Sequence, residues 1–425
     1  MTADFNLDKE EEDFLIGKTI FDKYKIIRKI GQGSFGSIYE SQSKYSNKHY
    51  AIKFEDMKKN YFILEEESIF LSYLNFPRIP KIKSFGYCGS FIILVMELLG
   101  KSLDKILTEL PNNRMSIRCV CNIAYQLITI FQIIHNCNLI HRDIKPGNIA
   151  VGREEKSKYI YLLDFGLSKK YRSSKTKNHF PFIKNHKIVG NARYSSINAL
   201  DGCSLSRRDD LESLGYCLIY LIFGRLPWQG CISRNKEDKY YKIKQIKKNT
   251  TPKDLCKELP PQFEEYIRYT RNLEYETEPD YNYLKYLFLS HLKKYNFEFD
   301  YYYDWDKVGL TSNEIKDIEK GNNDLNYFLS IEKKIPNICR KISDLIVERK
   351  NLGGIFDLDR FVFDDDEESN NIVKLKSGNQ KNETDFDHSN NYSNSITPYA
   401  YPKEKQAHIK FSKDYKSNND CCKIF

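Results

Sequence analysis

The chain has 425 residues, of which 40% are hydrophobic, 29% charged and 14% aromatic. That is globular composition with length for two or three packed units, and it excludes collagenous, mucin-like and wholly disordered chains. The net charge of +9 is uneven: residues 1–19 hold two Lys/Arg against six Asp/Glu and residues 351–425 ten against thirteen, so residues 20–350 carry +16. A basic body with acidic ends favours anionic partners.

The predicted elements run as follows. From Tyr24 to Val95, short β-type runs (Tyr24–Ile30, Gly36–Ser41, His49–Phe54, Phe91–Leu98) alternate with turns around one helical stretch, Phe62 to Leu74. This pattern is a small sheet with a helix. Beyond Gly100 the chain turns helical: Ser116 can cap a helix with apolar residues at Ile123, Leu127, Ile130 and Ile134. Leu211 to Phe223 is apolar nearly all round until Gly224 and Pro227 stop it, as befits a helix inside a large helical unit. From residue 351 the chain is rich in Asn, Ser and Asp and reads as a mostly disordered tail. No run approaches the roughly 18 consecutive apolar residues of a membrane span. The acidic stretch Glu10–Asp13 stands where a secretory leader would be basic, then apolar, so residence in the cytosol or nucleus is expected. The eleven cysteines lack a C-x-x-C pair and read as reduced, mostly buried thiols.

Three motifs carry chemistry. Gly31-Gln32-Gly33-Ser34-Phe35-Gly36, set between β-type runs, has glycines where backbone must approach phosphates closely. G-x-G-x-x-G also marks dinucleotide-binding folds and ordinary turns, but here a strand follows where a dinucleotide fold needs a helix. Lys53 lies seventeen residues after Gly36 on the apolar strand Tyr50-Ala51-Ile52-Lys53, where it could hold phosphates. The third motif is His141-Arg142-Asp143-Ile144-Lys145-Pro146-Gly147-Asn148, followed by Asp164-Phe165-Gly166 after a β-type run. In-line phosphoryl transfer needs a carboxylate for the attacking hydroxyl, a cation near the transferring group and oxygen ligands for magnesium, and these residues supply those types in order.

With these motifs the chain resembles a eukaryotic protein kinase, and more narrowly the casein kinase 1 family of serine/threonine kinases. The narrower likeness rests on Met96-Glu97-Leu98-Leu99-Gly100, on Ala192-Arg193-Tyr194-Ser195-Ser196-Ile197-Asn198, and on Arg207-Arg208-Asp209-Asp210-Leu211-Glu212-Ser213-Leu214-Gly215-Tyr216 running to Leu226-Pro227-Trp228-Gln229-Gly230. It covers about residues 24–306. The resemblance implies an α+β bilobal fold: an acidic extension over 1–19, a small antiparallel β-sheet lobe with one helix over 20–97, and a larger mostly helical lobe over 98–306. A helical extension over 307–350 and the tail over 351–425 complete the expected organisation.

The resemblance also implies roles. Gly31, Gly33, Ser34 and Gly36 would cover the ATP phosphates, and Ile30, Ile38 and Ala51 would line the adenine slot. Backbone groups of Glu97 and Leu99 would bond the adenine edge behind Met96, and Lys53 would pair with Glu67. Asp143 would be the catalytic base with Lys145 as charge stabiliser, Asn148 and Asp164 would hold magnesium, and Asp210 would brace the loop. Lys145 marks serine/threonine specificity. Acidic or pre-phosphorylated protein substrates would meet an anion site at Arg193, Lys239 and the Gly230 backbone, in keeping with the basic body. The sequence departs from the family at Gly147, where relatives usually carry Asp. The rival reading is a catalytically silent, nucleotide-binding scaffold of the same fold. Nucleic-acid binding is not expected, since the basic residues are not interleaved with aromatics on a recognition element. The protein is expected to act as a monomer.

Cys422-Lys423-Ile424-Phe425 fits a C-a-a-X prenylation box except for Lys423 at a usually aliphatic position, and Cys421 could take a palmitoyl chain. One lipid gives marginal membrane binding, so both cysteines are needed for stable attachment to the cytoplasmic face. The expected outcome is that a Cys421→Ser, Cys422→Ser double variant moves from the membrane to the soluble fraction on centrifugation; an identical distribution of both forms defeats the expectation.

Overall fold

A computed structural model describes residues 14–33, 36–59, 62–74, 76–297, 299–301 and 303–307. Ser34, Cys421, Cys422, the expected helical extension and the tail lie outside them.

The N-terminal part is an antiparallel sheet of β1 (Thr19–Ile20), β2 (Tyr24–Gln32), β3 (Ser37–Ser43), β4 (His49–Asp56), β5 (Ile82–Cys88) and β6 (Phe91–Glu97), ordered β1-β2-β3-β4-β6-β5. Successive side chains point to opposite faces, and β6 uses both. Ile93 and Val95 join Leu15, Ile20, Tyr24, Tyr39 and Ile52 in one core, while Ile92 and Leu94 belong to the large core that continues into the rest of the molecule. Packing thus reaches back to Leu15, on the N-terminal side of the boundary drawn at residue 20. Helix α1 (Ile63–Tyr73) has no capping side chain of its own at Phe62, and the buried Glu55 carboxylate of β4 accepts from Ile63 N at 3.2 Å and Leu64 N at 2.6 Å instead. A strand residue therefore fixes where the helix begins.

The C-terminal part holds α2 (Leu103–Glu109), α3 (Ile117–Asn136), the short strands β7 (Leu139–Ile140), β8 (Ile149–Val151), β9 (Ile160–Leu162) and β10 (Lys169–Lys170), then α4 (Ile197–Leu200), α5 (Arg207–Phe223), α6 (Lys236–Asn249), α7 (Pro252–Leu255), α8 (Pro261–Asn272) and α9 (Tyr281–Lys294). Ser116 caps α3 by accepting from Cys119 N. Against the expectation from its sequence, α3 is long and apolar enough to cross a membrane by length and composition. It is the central helix of this lobe, and 83% of its most apolar 18-residue stretch is buried. Its buried Gln126 and His135 side chains have partners: Gln126 accepts from Ile160 N at 3.0 Å and donates to Tyr303 Oη, and His135 Nδ1 meets Tyr281 Oη at 2.7 Å. That is what a buried polar group requires. The described cysteines are all free, and six of these eight are buried.

Helices α5 and α8 touch at Gly215, where an added Cβ would lie 2.5 Å from Ile267 Cδ1 and 2.9 Å from Tyr266 Cε1. Gly215→Ala is expected to destabilise the fold by about 1–3 kcal/mol through overpacking, read as a lower urea midpoint with unchanged slope.

Candidate active site

The sheet register groups the expected nucleotide residues. Ala51 and Lys53 share one face of β4, Met96 stands opposite Ala51 on β6, and Ile38 stands opposite Lys53 on β3. Gly31, next to Ile30, pairs with Ile38. Gly36 is required sterically, since a Cβ there would sit 1.7 Å from the Phe54 carbonyl oxygen; Gly31 and Gly33 meet only ordinary contacts. At the end of β6, Glu97 N–H already donates to the Lys81 carbonyl at 2.8 Å, so any adenine contact there runs through the Glu97 carbonyl. Leu99 follows, half-buried, in the crossing to the helical lobe.

Lys53 Nζ lies 2.6 Å from Glu67 Oε2 on α1 and 2.9 Å from Asp164 Oδ1. Burial disfavours its charge, but the two carboxylates more than offset that and hold Lys53 above the ordinary lysine range. Burial likewise opposes ionisation of Asp164, yet Lys53, with Lys145 and His141 nearby, keeps its carboxyl below the usual range. Asp164 has left-handed backbone (φ 64°), and Gly166 lets the turn approach α1, since a Cβ would meet Ile63 Cγ2 at 2.6 Å.

Asp143 is buried, and its carboxylate accepts from Lys145 Nζ at 2.5 Å, Asn148 Nδ2 at 3.0 Å and Asn191 N at 3.2 Å. Asn148 Nδ2 also donates to the Asp143 carbonyl at 2.9 Å, which leaves the Asn148 oxygen as its ligand atom. Beneath the loop, Asp210 accepts from His141 N at 2.7 Å, Arg142 N at 2.9 Å and His135 Nε2 at 3.1 Å. Burial pushes the Asp210 carboxyl up, but these bonds and the His135 and His141 rings bring it below the usual range. His141 joins the two motifs: its Nδ1 accepts from Asp143 N at 3.3 Å, and its Nε2 donates to the Leu163 carbonyl at 2.9 Å, one residue before Asp164.

A sequence model of the protein kinase domain matches residues 24–281, more than half of the chain. The chain belongs to the protein kinase domain family. Kinase domains act with ATP and typically magnesium. Asn148 and Asp164 offer oxygen donors suited to magnesium, which takes one or two protein ligands and completes its shell with phosphates and water. Among the described residues no group of three His, Cys, Asp or Glu could hold a metal without such help.

The expected anion-site residues of this kinase lie apart in their contacts. Trp228 Nε1 donates to the Arg193 carbonyl at 2.7 Å, which brings Arg193 beside the turn ending at exposed Gly230. Lys239 is exposed on the first turn of α6, and none of the described contacts joins it to Arg193. Sequence reasoning missed the backbone amide of Asn191 on Asp143, the bridging role of His141, and Lys105, whose Nζ donates across the cleft to the Ile30 carbonyl at 3.0 Å. Of these, His141 had a signal, its place two residues before Asp143.

Asp210→Ala leaves the His141 and Arg142 amides without their buried acceptor, and a loss of about 3 kcal/mol is expected. Chemical denaturation checks it, and a loss under ~1 kcal/mol contradicts the bracing role.

Proposed function

We propose that the protein is a serine/threonine kinase of the casein kinase 1 type, transferring the γ-phosphoryl group of ATP to hydroxyls of acidic or already phosphorylated proteins. The observation that carries this reading is the Asp143 carboxylate, fixed by Lys145, Asn148 and the Asn191 amide and linked through His141 to the Asp164 turn. In the proposed reaction Asp143 orients the substrate hydroxyl and accepts its proton, and Lys145 offsets charge on the transferring group. Lys53, steered by Glu67, holds the ATP phosphates under Gly31, Gly33 and Gly36. Magnesium bound at Asn148 and Asp164 supplies neutralisation of phosphate charge.

The narrower features rest on residue identity. Lys145 supports serine/threonine specificity, and Arg193 with the +16 charge of residues 20–350 supports anionic substrates. Gly147 removes one carboxylate from the loop: a Cβ there would lie 3.3 Å from Asp104 Oδ2, so an aspartate would crowd a second negative charge against the first. A silent scaffold fits less well, because Lys53, Asp143 and Asp164 are all present and all engaged.

The test is phosphate transfer to a serine peptide with acid or phosphoserine three residues upstream, against the same peptide with alanine there. Faster use of the anionic peptide is expected, with kcat reduced about 10³-fold in Asp143→Asn while ATP binding persists. ATP binding without transfer by the unaltered protein favours the scaffold.

A further inference from the structure

Lys247 on α6 is fully buried, and no role assigned above uses it. Its Nζ donates to the Ala192 carbonyl at 3.0 Å and the Ser195 carbonyl at 2.5 Å. It also lies 4.5 Å from the Tyr216 ring centroid and 4.7 Å from that of Trp228. Taking a lysine head group out of water costs several kcal/mol; the two carbonyls and two ring faces recover only part of it, and burial pushes the Lys247 amine well below the ordinary lysine range. An apolar side chain would fill the same space without that cost, so what the lysine adds is its hold on the two carbonyls.

Those carbonyls belong to a segment with no regular structure between residues 191 and 196. It is tied at both ends: Asn191 N donates to the Asp143 carboxylate, and Ile197 N donates to Glu212 Oε1 at 3.2 Å. Between them, Trp228 holds the Arg193 carbonyl and Lys247 the carbonyls on either side. Arg271 fixes Lys247 in turn, donating to the Lys247 carbonyl at 3.3 Å and to Tyr216 Oη at 3.0 Å. The Arg193 side chain stays half-exposed, its guanidinium 5.6 Å from the Tyr220 ring.

We propose that Lys247 is a positioning residue for the protein substrate: by holding the Ala192 and Ser195 carbonyls it sets the segment from Asn191 to Ile197 beside Asp143 and presents Arg193 to an anionic group of the substrate. The inference rests on the reading of Arg193 as an anion-binding residue. It assigns to the underside of the segment, remote from the nucleotide, a control over substrate affinity that leaves ATP affinity alone.

The experiment compares the full-length protein with Lys247→Met, which keeps the length and loses the donor, using the phosphoserine peptide and its alanine counterpart. The expected result is a KM for the phosphoserine peptide raised about tenfold, an unchanged KM for ATP, and a reduced preference for the phosphorylated peptide. A folded Lys247→Met protein with an unchanged peptide KM overturns the proposal, as does a parallel rise in both KM values. Should Lys247→Met fail to fold, Trp228→Phe removes the donor to the Arg193 carbonyl and keeps the ring. A raised peptide KM with unchanged ATP KM supports the anchoring, and no change overturns it. If the unaltered protein shows no preference for the phosphorylated peptide, the anionic-substrate reading fails by itself. The KM for the alanine peptide then decides the role of Lys247, a rise supporting it and constancy overturning it.

Discussion

The buried Asp210 carboxylate is the fixed point of the catalytic loop. It takes the amides of two successive residues, His141 and Arg142, and Arg142 is held at φ 69°, a left-handed conformation that costs a side-chain-bearing residue about 1–3 kcal/mol. Charge-assisted bonds of this kind are among the stronger ones in proteins and can maintain such a backbone. Asp143 comes one residue later, so its direction is inherited from the strained turn. His141 passes the same constraint to the carbonyl of Leu163 and so to the turn carrying Asp164. Two aspartates from separate motifs are placed by one histidine ring and one carboxylate that never meet substrate.

A second constraint lies above the first. Lys53 sits between Glu67 and Asp164, one on α1 and the other on the helical lobe's turn. The ion pair is therefore also a joint between the two lobes. Lys105 adds an exposed bond across the cleft mouth to Ile30, directly before the glycine-rich turn. The lobes are coupled at the back by a charge pair around buried Lys53 and at the front by a solvent-exposed hydrogen bond to a backbone carbonyl, where water competes for both partners.

Much of this was legible in the sequence where local chemistry and pattern agree. Strands β2, β3, β4 and β6, helix α1, the Ser116 cap and the Gly224 stop all follow from periodicity and turn residues. Strand β5 escaped because Ile82–Cys88 offers Lys83, Ser84 and Gly86 in place of an apolar alternation; its place is set by pairing with β6. The burial of α3 on all sides also escaped, because Asn122 and Gln126, one turn apart, look like a polar stripe until their partners Asp300, Ile160 and Tyr303 arrive from remote segments. Lys247 was the least legible residue. It stands in a lysine-rich stretch that reads as a solvated surface, and its burial depends on Tyr216 and Trp228 from other parts of the chain.

Asp304 accepts bonds from the backbone and hydroxyl of Ser116, 188 residues earlier, at the start of α3. The family match ends at residue 281, yet the helix that seats the catalytic loop is completed only by this later segment. During translation at about 5–20 residues per second, α3 therefore leaves the ribosome many seconds before its final partner exists. The sheet lobe can settle early, and α5 and α9, which cover most of α3, are also made before residue 304, so what the helical lobe waits for is the last tie at the Ser116 end of that helix.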